Sequence, residues 1–469
     1  MKKNGGTGEI GMDLTQGKPL SRILLFSLPI LAGNIFQQLY TVVDGMVVGI
    51  HVSTEALAAV GAGFPIIYMI TSIFLGLGLG ASILVSQFFG ANNMRKVRSV
   101  FSTMHAFMFI ISIPLTILAV FTTGAFLNLL NVPEDVFEPA KLYMIIYYIG
   151  MLPQFGYNVN ASVIQGLGDS RTPLYILISS SLLHVVLAYL FVVVIPWGVA
   201  GVAWSTVLSQ LFSWIASIVV IKRKYPELQF RFLHLRINKT DFAASMKIGL
   251  PIGLQNALFS VGMMVMQPLI NSYGAVFIAG YNAAVKVDGF VFMPVTSLAT
   301  AITTYVGQNL GAGKQDRLKT GIRATTLLVV ALCALLCAIV LPLQSQLMYL
   351  FTKDVAVVEA GNAYLIRVIP LYVISTLQYM LIGILRGAGR SLVPTIATLV
   401  SLWLARVPAA FLLSHYLGGN DMHWCYAIGW AMGLAILVPY YFGGKWRKTA
   451  VVDEILKKEA GHETDDPND

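Results

Sequence analysis

Apolar stretches long enough to cross a lipid bilayer recur along nearly the whole chain, from Ile23 to Phe442. The hydrocarbon core offers no water to an open backbone, so each crossing takes a helix of ~20 mostly apolar residues. Only 11% of the 469 residues are charged, whereas ordinary soluble domains carry ~25%. The spans read as 23–49, 55–86, 99–121, 138–158, 173–195, 198–221, 245–269, 275–306, 321–342, 359–382, 394–414 and 422–442. The second and eighth are long and contain Pro65 and Pro294, so tilt or kinking is expected there. The first residues carry two lysines but no apolar core of a cleaved signal, so the first span should stay in place. Cys333 and Cys337 lie four apart on one apolar helix and read as packing residues.

Charge sets the orientation. With a cytoplasmic N-terminus and twelve spans, the external segments keep only Lys141 and Lys353 of the 31 basic residues. Lys286, Arg367 and Arg406 lie within spans, and nearly all the others fall on cytoplasmic segments. Both termini are therefore expected in the cytoplasm. The net charge of +9 is an orientation signal, with membrane lipid as a partner and no nucleic acid implied.

The chain repeats itself. Gln87-Phe-Phe-Gly-Ala returns as Gln308-Asn-Leu-Gly-Ala, and Gln165-Gly-Leu-Gly-Asp-Ser-Arg-Thr-Pro returns as Arg386-Gly-Ala-Gly-Arg-Ser-Leu-Val-Pro. Both pairs are offset by 221 residues. Six spans per half is an even number, so the halves share one orientation. The expected fold is all-α: twelve transmembrane helices in two six-helix lobes related by a pseudo-two-fold axis along the membrane normal. The organisation is a tail (1–22), an N-lobe (23–221), a basic linker (222–244), a C-lobe (245–442) and a second tail (443–469). No cytoplasmic segment can house an ATPase domain, so active transport would draw on an ion gradient. Gly76, Gly78 and Gly80 lie inside a span with no strand before them, which favours close helix packing over a nucleotide loop.

Charges inside spans are costly and usually face a cavity or a partner. Asn34, Gln37, Thr41 and Asp44 fall on one face of span one, a polar stripe that ends in a carboxylate. Asp44 reads as a protonatable cavity group. Asn282 and Lys286 share a face of span eight, and Asp288 should pair with another helix, with Arg367 as a candidate. These four, with Asn34, Gln37 and Thr41, are candidate lining of a substrate cavity, and structural ion pairs are the competing reading for the charged ones. Arg406, in span eleven, reads as structural. His184 shares a face with Ser180 and Ser181, and is either a packing residue or a proton group. The hydroxyls of span six, Thr206 among them, and Met263, Met264 and Met266 of span seven suit packing.

Several motifs resemble the multidrug and toxic compound extrusion (MATE) family. They are Leu28-Pro29, Gln165-Gly-Leu-Gly-Asp-Ser-Arg-Thr-Pro173, Lys286-Val-Asp-Gly-Phe, Gly307-Gln-Asn-Leu-Gly-Ala and Arg406-Val-Pro, and the likeness runs from Leu14 to Lys448. The resemblance implies an antiporter, not an enzyme, that expels organic, often cationic and amphipathic compounds across the plasma membrane by alternating access. Proton or sodium influx would drive it, and no metal or other cofactor is implied. A monomer is expected. Asp44 matches the first-span carboxylate of the archaeal and DNA-damage-inducible branches, nearest to this chain. In those branches a fifth-span Asn and Asp, four apart, and a sixth-span Thr complete an ion site. Thr206 matches the Thr, but the Asn position holds His184 and the Asp position Ala188. Sodium wants several hard oxygens, whereas a proton needs one titratable group. The resemblance therefore points to proton coupling at Asp44, with His184 as partner. The alternative is a flippase of lipid-linked saccharides, or a polysaccharide exporter, of the same superfamily.

Overall fold

Long apolar runs become long helices because an unbroken helix satisfies its own backbone. The computed structural model describes residues 11–51, 54–130, 132–228, 236–447 and 450–463, and the side chains of 40–57 and beyond 457 lie outside that description. The helices are α1 (Pro19–His51), α2 (Thr54–Gly90), α3 (Met94–Leu129), α4 (Glu134–Ile149), α5 (Met151–Gly166), α6 (Arg171–Tyr189) and α7 (Val199–Lys224). Then follow α8 (Lys239–Asn271), α9 (Ala275–Gly311), α10 (Gln315–Tyr349), α11 (Val355–Val368), α12 (Tyr372–Gly387), α13 (Leu392–Leu399), α14 (Val407–Leu417), α15 (Cys425–Phe442) and the short tail helix α16 (Val451–Glu463). Among the described residues, 11 helices are long and apolar enough to cross a membrane. The pair α4 and α5, interrupted at Gly150, makes the twelfth crossing.

The interruptions have local causes. Pro153 has no N–H for the carbonyl of Ile149, and Pro370 has none for that of Ile366. The fourth crossing accordingly breaks at Gly150, and the tenth passes through a 3-10 turn at Ile369–Leu371 between α11 and α12. The two longest helices, α2 and α9, are each 37 residues and enclose Pro65 and Pro294.

The helices form two compact units, one built on Leu28–Gly253 and the other on Leu254–Glu454 together with Leu14–Ser27. In the first, Tyr148, Met151, Phe155 and Val202 are buried in one core between α2, α4, α5 and α7. Here the glycines of α2 serve close packing: a Cβ on Gly76 would lie 2.2 Å from the backbone nitrogen of Gly253 in α8, and one on Gly80 2.7 Å from Gly249. The start of α8 is fastened to α3, since the fully buried Asp241 accepts from Ser99 and pairs with Lys96 at 3.5 Å.

The second unit has its own core around Tyr364, Leu365, Ile369 and Tyr372. It also holds the segment that leads into α1. Leu14 N donates to Gln308 Oε1 at 2.9 Å, Lys314 donates to the Thr15 carbonyl at 2.9 Å, and Arg317 reaches the Gln16 carbonyl at 2.8 Å.

The sequence repeat is visible in backbone geometry. The turn after α2 passes through Asn92 at φ 56°, and the turn after α9 passes through Gly313 at φ 68°, 221 positions later. The turns after α5 and α12 use Gly168 at φ 88° and Gly389 at φ 75°. Each closes its helix in the left-handed conformation that satisfies the last carbonyls. Outward positions stay apolar: Phe121, Leu404 and Phe442 are more than two-thirds exposed, as lipid-facing side chains are.

Candidate functional site

In the first unit, α6 ends in a π-helical turn, Leu190–Val194, before the chain reverses into α7. The reversal is tight. Trp197 N donates to the Phe191 carbonyl at 2.9 Å, the two rings stack at 4.9 Å, and Gly198 takes φ 59°. It carries α7 back along α6 and sets His184 against the first turns of α7. His184 Nε2 lies 3.1 Å from Ser205 Oγ and 3.2 Å from Thr206 Oγ1. Both hydroxyls also reach the Val202 carbonyl, at 2.7 and 3.1 Å. His184 is buried, as is Ala188 one turn further. An imidazole between two hydroxyls can hold or pass a proton. Asn34 and Gln37 lie on α1 as the spacing required, whereas the side chains of Thr41 and Asp44 lie outside the described residues.

In the second unit, α9 carries Asp288 on the side that faces α11 and α12. Tyr364 donates to Asp288 Oδ2 at 3.1 Å, and Tyr372 donates to Oδ1. The expected pairing with Arg367 is not formed. Arg367 Nε bonds Asp421 at 2.9 Å and its Nη1 the Ala363 carbonyl, because it sits one helical turn from Ala363 and close to the 3-10 turn that presents Asp421. Asn282 and Lys286 are exposed, away from the core that covers Asp288, and Lys286 lies 5.8 Å from the Phe351 ring centre. The structure therefore does not gather Asn282, Lys286, Asp288 and Arg367 into one group within this unit.

What Asp288 joins is an aromatic cage. Together with Tyr281, Tyr364, Tyr426, Trp430 and Arg406 it lines a cavity of about 190 Å³. Tyr281 and Tyr426 share a hydrogen bond of 3.1 Å, and the Arg406 guanidinium lies 3.6 Å over the Tyr426 ring. Met263 lines this cavity, while Met266 is in the core and Met264 is exposed. Arg406 reaches the cavity because α13 gives way to a π-helical segment, Val400–Arg406, before α14. Wide π turns inside α-helices re-aim side chains and often mark functional positions. A reading that steps evenly at 3.6 residues per turn misses this, so Arg406 appears structural in sequence. Tyr364, Tyr372 and Ser205 were missed for a different reason: tyrosines and serines in spans are ordinary packing residues until a carboxylate or imidazole is found opposite them.

A helical, polytopic chain with a buried polar cluster in each of two units has the architecture of a membrane transporter. The MatE family profile matches residues 29–190 and, a second time, 251–412. The chain belongs to that family. It is 30% identical over 450 residues to the "Probable multidrug resistance protein YpnP" of Bacillus subtilis, covering 94% of this chain and 99% of that one. It is 26% identical to the "Probable multidrug resistance protein NorM" of Thermotoga maritima, covering 94% and 96% respectively. Among solved structures, the "outward-facing conformation of a multidrug resistance MATE family transporter" superposes with a TM-score of 0.87 at 22% identity, over 95% of this chain and 100% of that one. The two stretches matched by the family profile begin 222 residues apart, close to the internal offset of the motifs.

Proposed function

We propose that this protein exports organic compounds across the plasma membrane by alternating access, driven by proton influx through Asp44, with His184 and Thr206 completing the site. Drug export is supported by membership in the MatE family and by the multidrug-resistance relatives matched over nearly their full length. Cytoplasmic termini follow from the distribution of lysine and arginine. The observation that carries the choice of ion is the His184 cluster. Its imidazole lies between Ser205 and Thr206, and the resemblance to the archaeal and DNA-damage-inducible branches implies an Asn amide at this position of the ion site and a carboxylate at that of Ala188. Such a set is poor for a hard cation and sufficient for a proton. Protonation from outside would change the hydrogen bonds of Asp44 and so the balance between the two access states.

The test is efflux of a cationic dye from everted vesicles in choline buffer under an imposed pH gradient. Wild type should pump without sodium. Asp44→Asn, matched for expression, should lose about tenfold or more of the rate, since it keeps shape but cannot titrate. Strict dependence on sodium, or an unimpaired Asp44→Asn, would defeat the reading.

A further inference from the structure

We propose that the second unit contains a binding site for the carboxylate of an organic anion or zwitterion, in a chamber lined by Arg386 and Arg406. The inference rests on the export reading above and names a substrate class for it. The site is a cavity of about 180 Å³, lined by Arg386, Arg406, Gln255, Asn256, Tyr379 and Trp430 among others. Among the described residues, no carboxylate lines it.

Neither arginine forms a salt bridge with an acidic side chain among the described residues. Arg386 Nη2 donates only to the amide oxygen of Gln255, at 3.0 Å, and that oxygen also accepts from Thr395 at 3.2 Å. Arg386 Nε is buried without a hydrogen-bond partner, as are Nε and Nη2 of Arg406. Arg406 is 7% exposed. An acid, Asp288, lies in the adjoining cavity that shares Arg406, and its two oxygens are taken by Tyr364 and Tyr372. The Arg367–Asp421 pair neutralises itself. Two guanidiniums therefore face one carboxylate across the joined lining, and the chamber is short of negative charge. A buried charge without a counter-ion is costly, and an incoming carboxylate offers guanidinium its best geometric match. A cation entering the same chamber would meet like charge.

Shape agrees with this chemistry. The volume equals that of about six waters, enough for a carboxylate and the first ring that bears it. Tyr379, Phe259 and Trp430 supply flat apolar walls for a planar scaffold.

The experiment compares 2-naphthoate with its methyl ester by equilibrium dialysis against the purified full-length protein. The two share one ring system and differ in the charge. Wild type should hold the acid about tenfold or more tighter than the ester. Arg386→Gln and Arg406→Gln should bring the ratio close to one without weakening the ester. Gln255→Glu is the second variant. It is isosteric and places a carboxylate against Arg386 from within, so it should fold normally and also erase the preference. Equal binding of acid and ester by wild type would overturn the proposal, and so would a preference that survives in Gln255→Glu. A protein that pumps the cationic dye yet shows no preference sinks this inference alone. One that shows the preference yet does not pump sinks the export reading alone.

Discussion

At the scale of single residues, Asp169 shows what a loop carboxylate does in this fold. It precedes α6, where its Oδ1 accepts from the backbone N–H of Arg171 and Thr172 at 3.0 Å each. Its Oδ2 takes Lys224 at 2.7 Å, with Thr172 and Tyr225 hydroxyls at 2.5 Å. Burial is the largest single influence and pushes the carboxyl upward. The Lys224 ammonium, the two hydroxyls and the Thr172 N–H together outweigh it, so Asp169 titrates below its ordinary value. A depressed folded value means that the stabilisation is complete above the unfolded pKa of ~3.9 and is lost as pH falls through the folded one. Asp169→Asn should cost about 1–3 kcal/mol at neutral pH, read as a lower melting temperature in detergent. The gap from wild type should narrow below about pH 4. A constant gap down to pH 3 would show that charge is not what Asp169 contributes. The sequence displayed this residue within a repeated motif but not its partners, because Lys224 and Tyr225 lie more than fifty positions away. Asp288 was legible as costly for the same reason, yet its tyrosines were not. Periodicity reports which face a residue occupies and says nothing of what stands opposite.

At the scale of helices, the number and rough positions of the crossings were plain from hydropathy, since length and apolar content are the whole of that constraint. Their interruptions were less so. Prolines at 65 and 294 leave α2 and α9 continuous, whereas those at 153 and 370 accompany breaks. Whether a proline breaks or only bends a helix depends on neighbours that supply the freed backbone groups. The glycines of α2 were read as packing positions, and they are. A side chain at Gly76 would meet the α8 backbone, which has no rotamer by which to yield. Gly76→Val should therefore force α2 and α8 apart and destabilise by about 1–3 kcal/mol. Gly124→Ala in α3 is the control, because a Cβ there meets nothing within 4 Å and alanine favours helix. Thermal unfolding of both variants should separate them clearly, and equal melting temperatures would remove the packing argument.

At the scale of the whole molecule, the repeat conserves architecture and exchanges chemistry. The turn that holds Asp169 in the first unit holds Arg390 at the matching place in the second. Asp169 pairs with Lys224, the last residue of α7, and Arg390 pairs at 2.7 Å with Glu454, in the tail helix α16 that follows the last span. Both braces tie the matching turn to a later segment of the same unit, with the polarity reversed. The sequence revealed the offset, but the aligned Asp and Arg look like a loss of conservation until the partners are seen. If the brace is what matters, polarity should be interchangeable within one unit. Arg390→Asp alone would set a carboxylate against Glu454 and lower stability, whereas Arg390→Asp combined with Glu454→Lys should recover it. Both side chains are about a third exposed, at 26% and 37%, so the coupling is worth about 1 kcal/mol or less. The double variant should even melt slightly above wild type. In the first unit the aspartate also accepts the first N–H groups of α6, and the start of α13 has no side-chain cap from Ser391. An aspartate at 390 would supply the missing acceptor to α13, a contribution of about 1 kcal/mol. Recovery without overshoot would mean that the cap does not form. Failure of the double variant to recover would mean that each unit needs its own polarity, and that the repeat is not interchangeable at this position.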